Sequence, residues 1–145
     1  MVRSRGRAIM SVRDYRQSDA EHLVEILRLN GQYEYPHIEG PDAMDRVAGC
    51  DAGVVFVADI DERVVGYIRA VYDGARALIH LLTVHPDYQG KGVGAALLAA
   101  VEEELKKRGA SGTIVTVTEA GSSYWERMGF RRLPAFLMLK EFGPE

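Results

Sequence analysis

Cysteine is nearly missing from this chain: Cys50 is the only one in 145 residues. An internal disulfide framework is therefore excluded, and a reducing, cytoplasmic setting is expected. Cys50 follows Ala48-Gly49 with no activating neighbour, so it reads as incidental rather than nucleophilic. No stretch approaches the roughly 18 apolar residues of a membrane span, and no membrane association is expected. Charge of one sign is also lacking. Eighteen Lys and Arg stand against 21 Asp and Glu, a formal charge of -3 that gives no general push toward nucleic acid. The first seven residues hold three arginines and no acid, but no apolar segment follows, so they are not a secretory signal. Residues 1–8 are expected to form a disordered basic extension, with Met10 an alternative start. Repeats, low-complexity tracts and interdomain linkers are absent as well.

What is present is ordinary globular material. Hydrophobic residues make up 47% and charged residues 27%. Residues 9–145 are expected to form one domain, large enough to bury a core without a metal or disulfide staple.

The element pattern is mixed. Ile9 to Tyr15 reads as a strand. Ser18 and Glu21 have capping-box spacing ahead of Leu23, Ile26 and Leu27, and Asn30-Gly31 stops that helix. Gln32 to Gly40 is polar and aromatic, a loop or broken helix. Pro41 to Ala48 suits a short helix. Val54 to Ile60 and Val64 to Tyr72 form a hairpin across Asp61-Glu62. Asp73-Gly74 turns into a strand over Ala77 to Val84. Gly92 to Arg108 is the clearest helix, followed by a strand over Thr113 to Thr118, a helix over Ser122 to Met128 and a last strand over Pro134 to Phe142. The predicted order is β-α-α-β-β-β-α-β-α-β. Strand, crossover helix and strand from Ala77 to Thr118 imply a right-handed parallel pair. The earlier hairpins are antiparallel, so the fold class is α/β with a mixed sheet flanked by helices.

The informative segment joins the fourth strand to the long helix. Gln89-Gly90-Lys91-Gly92-Val93-Gly94-Ala95 is a glycine-rich turn that opens a helix. Glycines let a ligand approach the main chain, and the first helical N–H groups lack intrahelical partners. With the positive end of the helix dipole they make an anion site suited to a pyrophosphate, with Lys91 beside it. A Walker A loop fails because Gly92 follows Lys91. Gly90-x-Gly92-x-x-Ala95 meets a dinucleotide fingerprint, yet five residues separate strand and first glycine and only one βαβ unit exists.

Three stretches carry a resemblance. Gln89-Gly90-Lys91-Gly92-Val93-Gly94 is similar to the Gln/Arg-x-x-Gly-x-Gly/Ala signature of the GCN5-related N-acetyltransferases (GNAT). Val84-His85-Pro86-Asp87-Tyr88 resembles their lead-in, and Tyr124-Trp125-Glu126-Arg127-Met128-Gly129-Phe130 their Phe-Tyr-Glu-Lys-Leu-Gly-Phe segment. The element order agrees from about residue 9 to 142.

The resemblance implies a GNAT-like fold whose parallel strands splay apart, acetyl-CoA as cosubstrate, an amine acceptor attacking directly in a ternary complex, and no metal. It implies that main-chain N–H groups of Gly90, Lys91, Gly92, Val93, Gly94 and Ala95 hold the pyrophosphate, with Gln89 at the loop start. Leu82, Thr83 and Val84 would pair with the pantetheine arm, and the Val84 amide would face the developing oxyanion. A general acid is expected for the leaving thiolate. The family's tyrosine position is Trp125 here, whose indole N–H is no useful acid. Either Tyr124, one residue earlier, fills the role or no side chain does. His80, four residues before Val84, is the first candidate base and is expected to share a strand face with it; Glu119 is the second. His85 reads as structural. Tyr33, Glu34 and His37 fall on the family's acceptor-capping segment, where an acidic aromatic wall favours a cationic acceptor. A homodimer is in keeping with the family. The Trp125 replacement keeps open a non-catalytic acyl-CoA-binding or sensing module.

Overall fold

The computed structural model describes residues 9–143, so the expected basic extension at 1–8 lies outside the described residues. Five strands form one sheet in the order β1-β2-β3-β4-β5. They are β1 (Met10–Asp14), β2 (Gly53–Ile60), β3 (Arg63–Tyr72), β4 (Ala77–Val84) and β5 (Ile114–Val115). The first three pairings are antiparallel and the last is parallel. The helices are α1 (Ala20–Leu29), α2 (Pro36–Glu39), α3 (Pro41–Ala48), α4 (Val93–Lys107) and α5 (Ser122–Arg127). No helix among the described residues is long and apolar enough to cross a membrane.

Side-chain alternation along the central strands divides the core in two. Val54, Ala58, Ile68, Ala70 and Ile79 pack with Val93, Leu97, Val101 and Leu105 of α4. Val55, Val57 and Tyr67 pack with Leu23, Ile26 and Leu27 of α1 and Met44 of α3. Asp61 and Glu62 both take positive φ (51° and 67°), the geometry of a tight two-residue hairpin turn. Gly66 brings α4 close to the sheet. A Cβ there would stand 3.0 Å from Leu97 Cδ1 and 3.1 Å from Val93 Cγ1.

Three expectations change. The cap of α1 is not Ser18 but Asp19, which closes a 3-10 turn over Gln17–Asp19. Its carboxylate accepts from the Arg16 N–H (2.8 Å) and from two nitrogens of Arg13 (2.9 and 3.0 Å). An arginine within reach made the aspartate the better buried acceptor. The strand expected over Thr113 to Thr118 shrinks to two residues, because only Leu78 and Ile79 of β4 lie against it. No strand forms over Pro134 to Phe142. Phe136 and Met138 are 86% and 87% exposed, so apolar composition there has found no neighbouring strand to pair with.

Candidate functional site

The glycine loop takes its shape from the main chain. Gly90 and Gly92 adopt φ of 75° and 84°, a left-handed region that costs residues with a Cβ, although open space surrounds both. The first hydrogen bond of α4 runs from the Ala96 N–H to the Gly92 carbonyl (3.0 Å). The N–H groups of Val93, Gly94 and Ala95 therefore lack intrahelical acceptors and stand at the positive end of a 15-residue helix. Lys91 Nζ lies 5.5 Å from the centre of the Tyr88 ring, and the Arg63 guanidinium 5.9 Å from it. Two cations thus border the loop.

β4 presents its main chain selectively. His85 N–H donates to the Val65 carbonyl (2.8 Å), and β3 and β4 pair Gly66 with Val84, Tyr67 with Thr83 and Ile68 with Leu82. In an antiparallel ladder, hydrogen-bonded and non-bonded pairs alternate. Thr83 is thus bonded to β3, whereas the N–H groups of Leu82 and Val84 point away from it. They face the gap that opens where β5 stops, since β5 touches only Leu78 and Ile79. The carbonyls on that side are engaged: Val84 O accepts from Asn30 Nδ2 (2.8 Å) and Gln89 Nε2 (3.0 Å), and Leu82 O from Gln32 Nε2 (3.3 Å). What remains for a ligand is the pair of N–H groups. Thr83 is buried, its hydroxyl donating to Gln32 Oε1 (2.6 Å) and accepting from Asn30 Nδ2 (2.8 Å). Gln89 is a brace between the loop and β4, its amide nitrogen also donating to Asn30 Oδ1 (3.3 Å).

Tyr124 joins this assembly. Its hydroxyl lies 2.5 Å from where a Gly94 Cβ would stand, with Leu82 Cδ2 3.7 Å from the same point. Burial pushes its phenol up from the ordinary value, against a smaller opposing pull from Arg127. Trp125 stands edge-on to the Tyr124 ring (centroids 5.5 Å apart) and to Phe130 (5.1 Å), at the margin of the α4 core.

The expected acid–base partners do not all converge. His80 sits at a β-bulge: Arg69 pairs with Leu81 and Ala70 with Ile79, which leaves His80 as the extra residue. Leu82 and Val84 consequently lie on the α4 side, whereas His80 Nδ1 accepts from Arg69 Nε (3.2 Å), two residues along β3 from Tyr67 on the α1 side. The shared face with Val84 is lost. Burial, seconded by the charge of Arg69, holds the His80 imidazole below its ordinary pKa. The Glu119 carboxylate is 89% exposed and pairs with Arg132 (3.4 Å). His85 Nδ1 accepts from the Asp87 N–H (3.1 Å), a turn-capping role.

On the acceptor side, Glu39 Oε1 accepts from the N–H groups of Glu34 (2.9 Å) and Tyr35 (2.8 Å), pinning the segment before α2. The Tyr33 ring is covered by the Arg28 guanidinium (5.0 Å), while His37 stacks edge-on with Tyr35. A separate open groove of about 1000 Å³ runs along β5, lined by Leu105, Val115, Glu119, Trp125 and Leu133. Neither the glycine loop nor Val84 contributes to it.

Asn30, Gln32 and Arg69 were missed from sequence. Nothing local marks Asn30 beyond a helix stop, since its partner is 53 residues away. Arg69 carried a signal: one charge inside an apolar strand is rarely buried without a purpose.

Among described residues, no group of three or more His, Cys, Asp or Glu is placed to hold a metal. Solved structures share the fold. A transcriptional regulator from Bacillus halodurans C-125 superposes with TM-score 0.76 at 22% identity, covering 92% of this chain and 100% of that one. The paia N-acetyltransferase of Thermoplasma acidophilum, in complex with coenzyme A, gives 0.79 at 20%, covering 88% and 93%. An aminoglycoside N-acetyltransferase, AAC(6')-Iy in complex with CoA, gives 0.76 at 17%, covering 95% and 98%. Residues 20–130 match the acetyltransferase (GNAT) family over most of the chain. With the glycine loop, the truncated parallel pair and the sheet order all in place, the chain belongs to that acetyltransferase family.

Proposed function

We propose that the protein moves an acetyl group from acetyl-CoA to a cationic amine by direct attack in a ternary complex. The observation that carries this is the Tyr124 hydroxyl set against Gly94 and Leu82, between the free N–H groups of α4 and the strand whose Val84 N–H points away from β3. The loop N–H groups bind the diphosphate. The Leu82 and Val84 N–H groups bind the extended arm along β4, where a further strand would otherwise pair. As the neutral amine nitrogen bonds to the thioester carbon, charge builds on the oxygen and the Val84 N–H stabilises it. A donor so placed is worth about 2.7–4 kcal/mol. The carbon–sulfur bond then breaks, and the sulfur takes a proton from Tyr124.

The amine must shed a proton. Glu119 is paired with Arg132 and His80 Nδ1 is occupied, which favours water in the open gap as the immediate acceptor. The aminoglycoside N-acetyltransferase neighbour lends support to an amine acceptor. Glu34, Tyr35 and His37 supply the acidic, aromatic wall such a cation prefers, Tyr33 being occupied by Arg28. The setting proposed is cytoplasmic, in keeping with the exposed free thiol of Cys50.

The test is thiol release from acetyl-CoA across a panel of polyamines, aminoglycosides, amino acids and peptides, with acetylated product confirmed by mass. Turnover with at least one cationic amine is expected. Tight acetyl-CoA binding with no thiol release anywhere in the panel overturns the enzyme reading in favour of a binding module.

A further inference from the structure

We propose that Arg69 is a positioning residue that fixes His80 as an imidazole with its proton on Nε2, so that His80 presents toward the acceptor side a hydrogen-bond donor and not a proton acceptor. The inference deepens the acetyl-transfer reading and rests on it for its kinetic arm only.

The geometry is specific. Arg69 is 4% exposed, in the middle of β3. Its Nε–H donates to His80 Nδ1 at 3.2 Å, and its Nη2 donates to the Ile38 carbonyl of α2 at 3.0 Å. A guanidinium has no lone pair to give, so the ring nitrogen facing it must be the unprotonated one. The remaining nitrogen, Nε2, therefore bears the hydrogen of the neutral ring. Taking up a second proton means placing it on Nδ1, against a cation at hydrogen-bond distance. Among the described residues Arg69 Nη1 is buried without a hydrogen-bond partner, and the neighbouring Tyr67 phenol, pushed up by burial, brings no negative charge to it. Burial of His80 and the charge of Arg69 act in the same direction on the ring.

The β-bulge explains how the pair forms. The extra residue in β4 lets His80 meet Arg69, while Leu82 and Val84 keep their place toward α4. The same guanidinium holds α2, which follows the segment expected to cap the acceptor. One buried cation thus ties the acceptor side to the ring. An amine bound near His80 meets a fixed N–H, able to orient a lone pair or an acceptor oxygen, and no base.

The decisive measurement is long-range proton–nitrogen NMR on the full chain with labelled histidine, His80 being assigned by its loss in His80→Gln. Wild type is expected to show the Nε2–H form and no titration of His80 around the free imidazole value of about 6.5. An Nδ1–H form, or a full titration near that value, overturns the proposal whether or not the protein proves to be an acetyltransferase. In Arg69→Met, His80 is expected to show mixed tautomers and to titrate upward toward the free value. There kcat is expected to fall roughly ten-fold with KM for acetyl-CoA unchanged. Arg69→Lys keeps the charge but cannot fork to both partners, and its His80 spectrum is expected to resemble that of Arg69→Met. A wild-type spectrum in folded Arg69→Met also overturns the assignment.

Discussion

The Tyr124 hydroxyl rests against the one side of Gly94 where any larger residue would carry its Cβ, at 2.5 Å from that position. The tyrosine thus reaches the start of α4 only because that residue has no side chain. Gly94→Ala is expected to push the ring tip aside without strain in the helix, since Gly94 has no positive φ. Folding stability should stay within about 1 kcal/mol of wild type, or rise, as alanine suits a helix better. Turnover should nevertheless drop about ten-fold or more. Denaturant unfolding and thiol-release kinetics on the same preparation check the separation; parallel losses in both would contradict it.

Tyr124→Phe removes the acid and nothing else. About a hundred-fold loss in kcat is expected, the lower end of the range for general acid catalysis, with acetyl-CoA affinity unchanged by calorimetry. Because burial raises the phenol above its ordinary value near 10, the wild-type rate should show no tyrosine-dependent fall until strongly alkaline pH. A wild-type plateau ending near neutrality, or a fully active variant, removes Tyr124 from the mechanism.

Gly92→Ala tests the loop by strain instead of space. An alanine there must adopt a φ of 84°, at a cost of about 1–2 kcal/mol, with no clash to relieve. The loop should relax and acetyl-CoA affinity should weaken about ten-fold, read by thermal shift across a ligand titration. Unchanged affinity would mean that the loop's shape is irrelevant to binding.

The acid side of the stability profile belongs to Asp19. Burial alone would raise this carboxyl, but hydrogen bonds from Arg13 and from the Arg16 N–H outweigh it and hold it low. A carboxyl lowered in the folded state contributes stability above its unfolded value near 3.9, and that contribution is lost as pH falls through the folded value. Asp19→Asn should cost about 2–3 kcal/mol at pH 7 and flatten the decline below about pH 4. Urea melts at a series of pH values make the comparison.

The C-terminal segment calls for the opposite result. Phe136 and Leu139 stand in solvent, so Phe136→Ser and Leu139→Ser should each change unfolding free energy by under about 0.5 kcal/mol. A larger loss would show that these side chains are covered in solution.

Where local rules decide, the sequence predicts the fold closely. The span Ala77–Val84 and the helix Val93–Lys107 are marked by glycines and by apolar spacing that only one structure satisfies. The hairpin at Asp61-Glu62 is equally local. What failed needed a distant partner. Thr116 to Thr118 have strand-forming side chains and no strand beside them. The bulge at His80 is invisible to a count of alternating residues, yet it decides which way the histidine faces. The glycine loop was legible because its function resides in the main chain. Asn30, Gln32 and Arg69 were not, because theirs comes from groups brought close by the completed sheet.

The short union of β4 with β5 has one more consequence. Only two residue pairs join β5 to β4, so residues 116–130 are held to the rest by the packing of Trp125, Met128 and Phe130 on the α4 core and not by a continuous ladder. Substitutions in that stretch can therefore be absorbed by side-chain repacking, while the four antiparallel-paired strands keep their register.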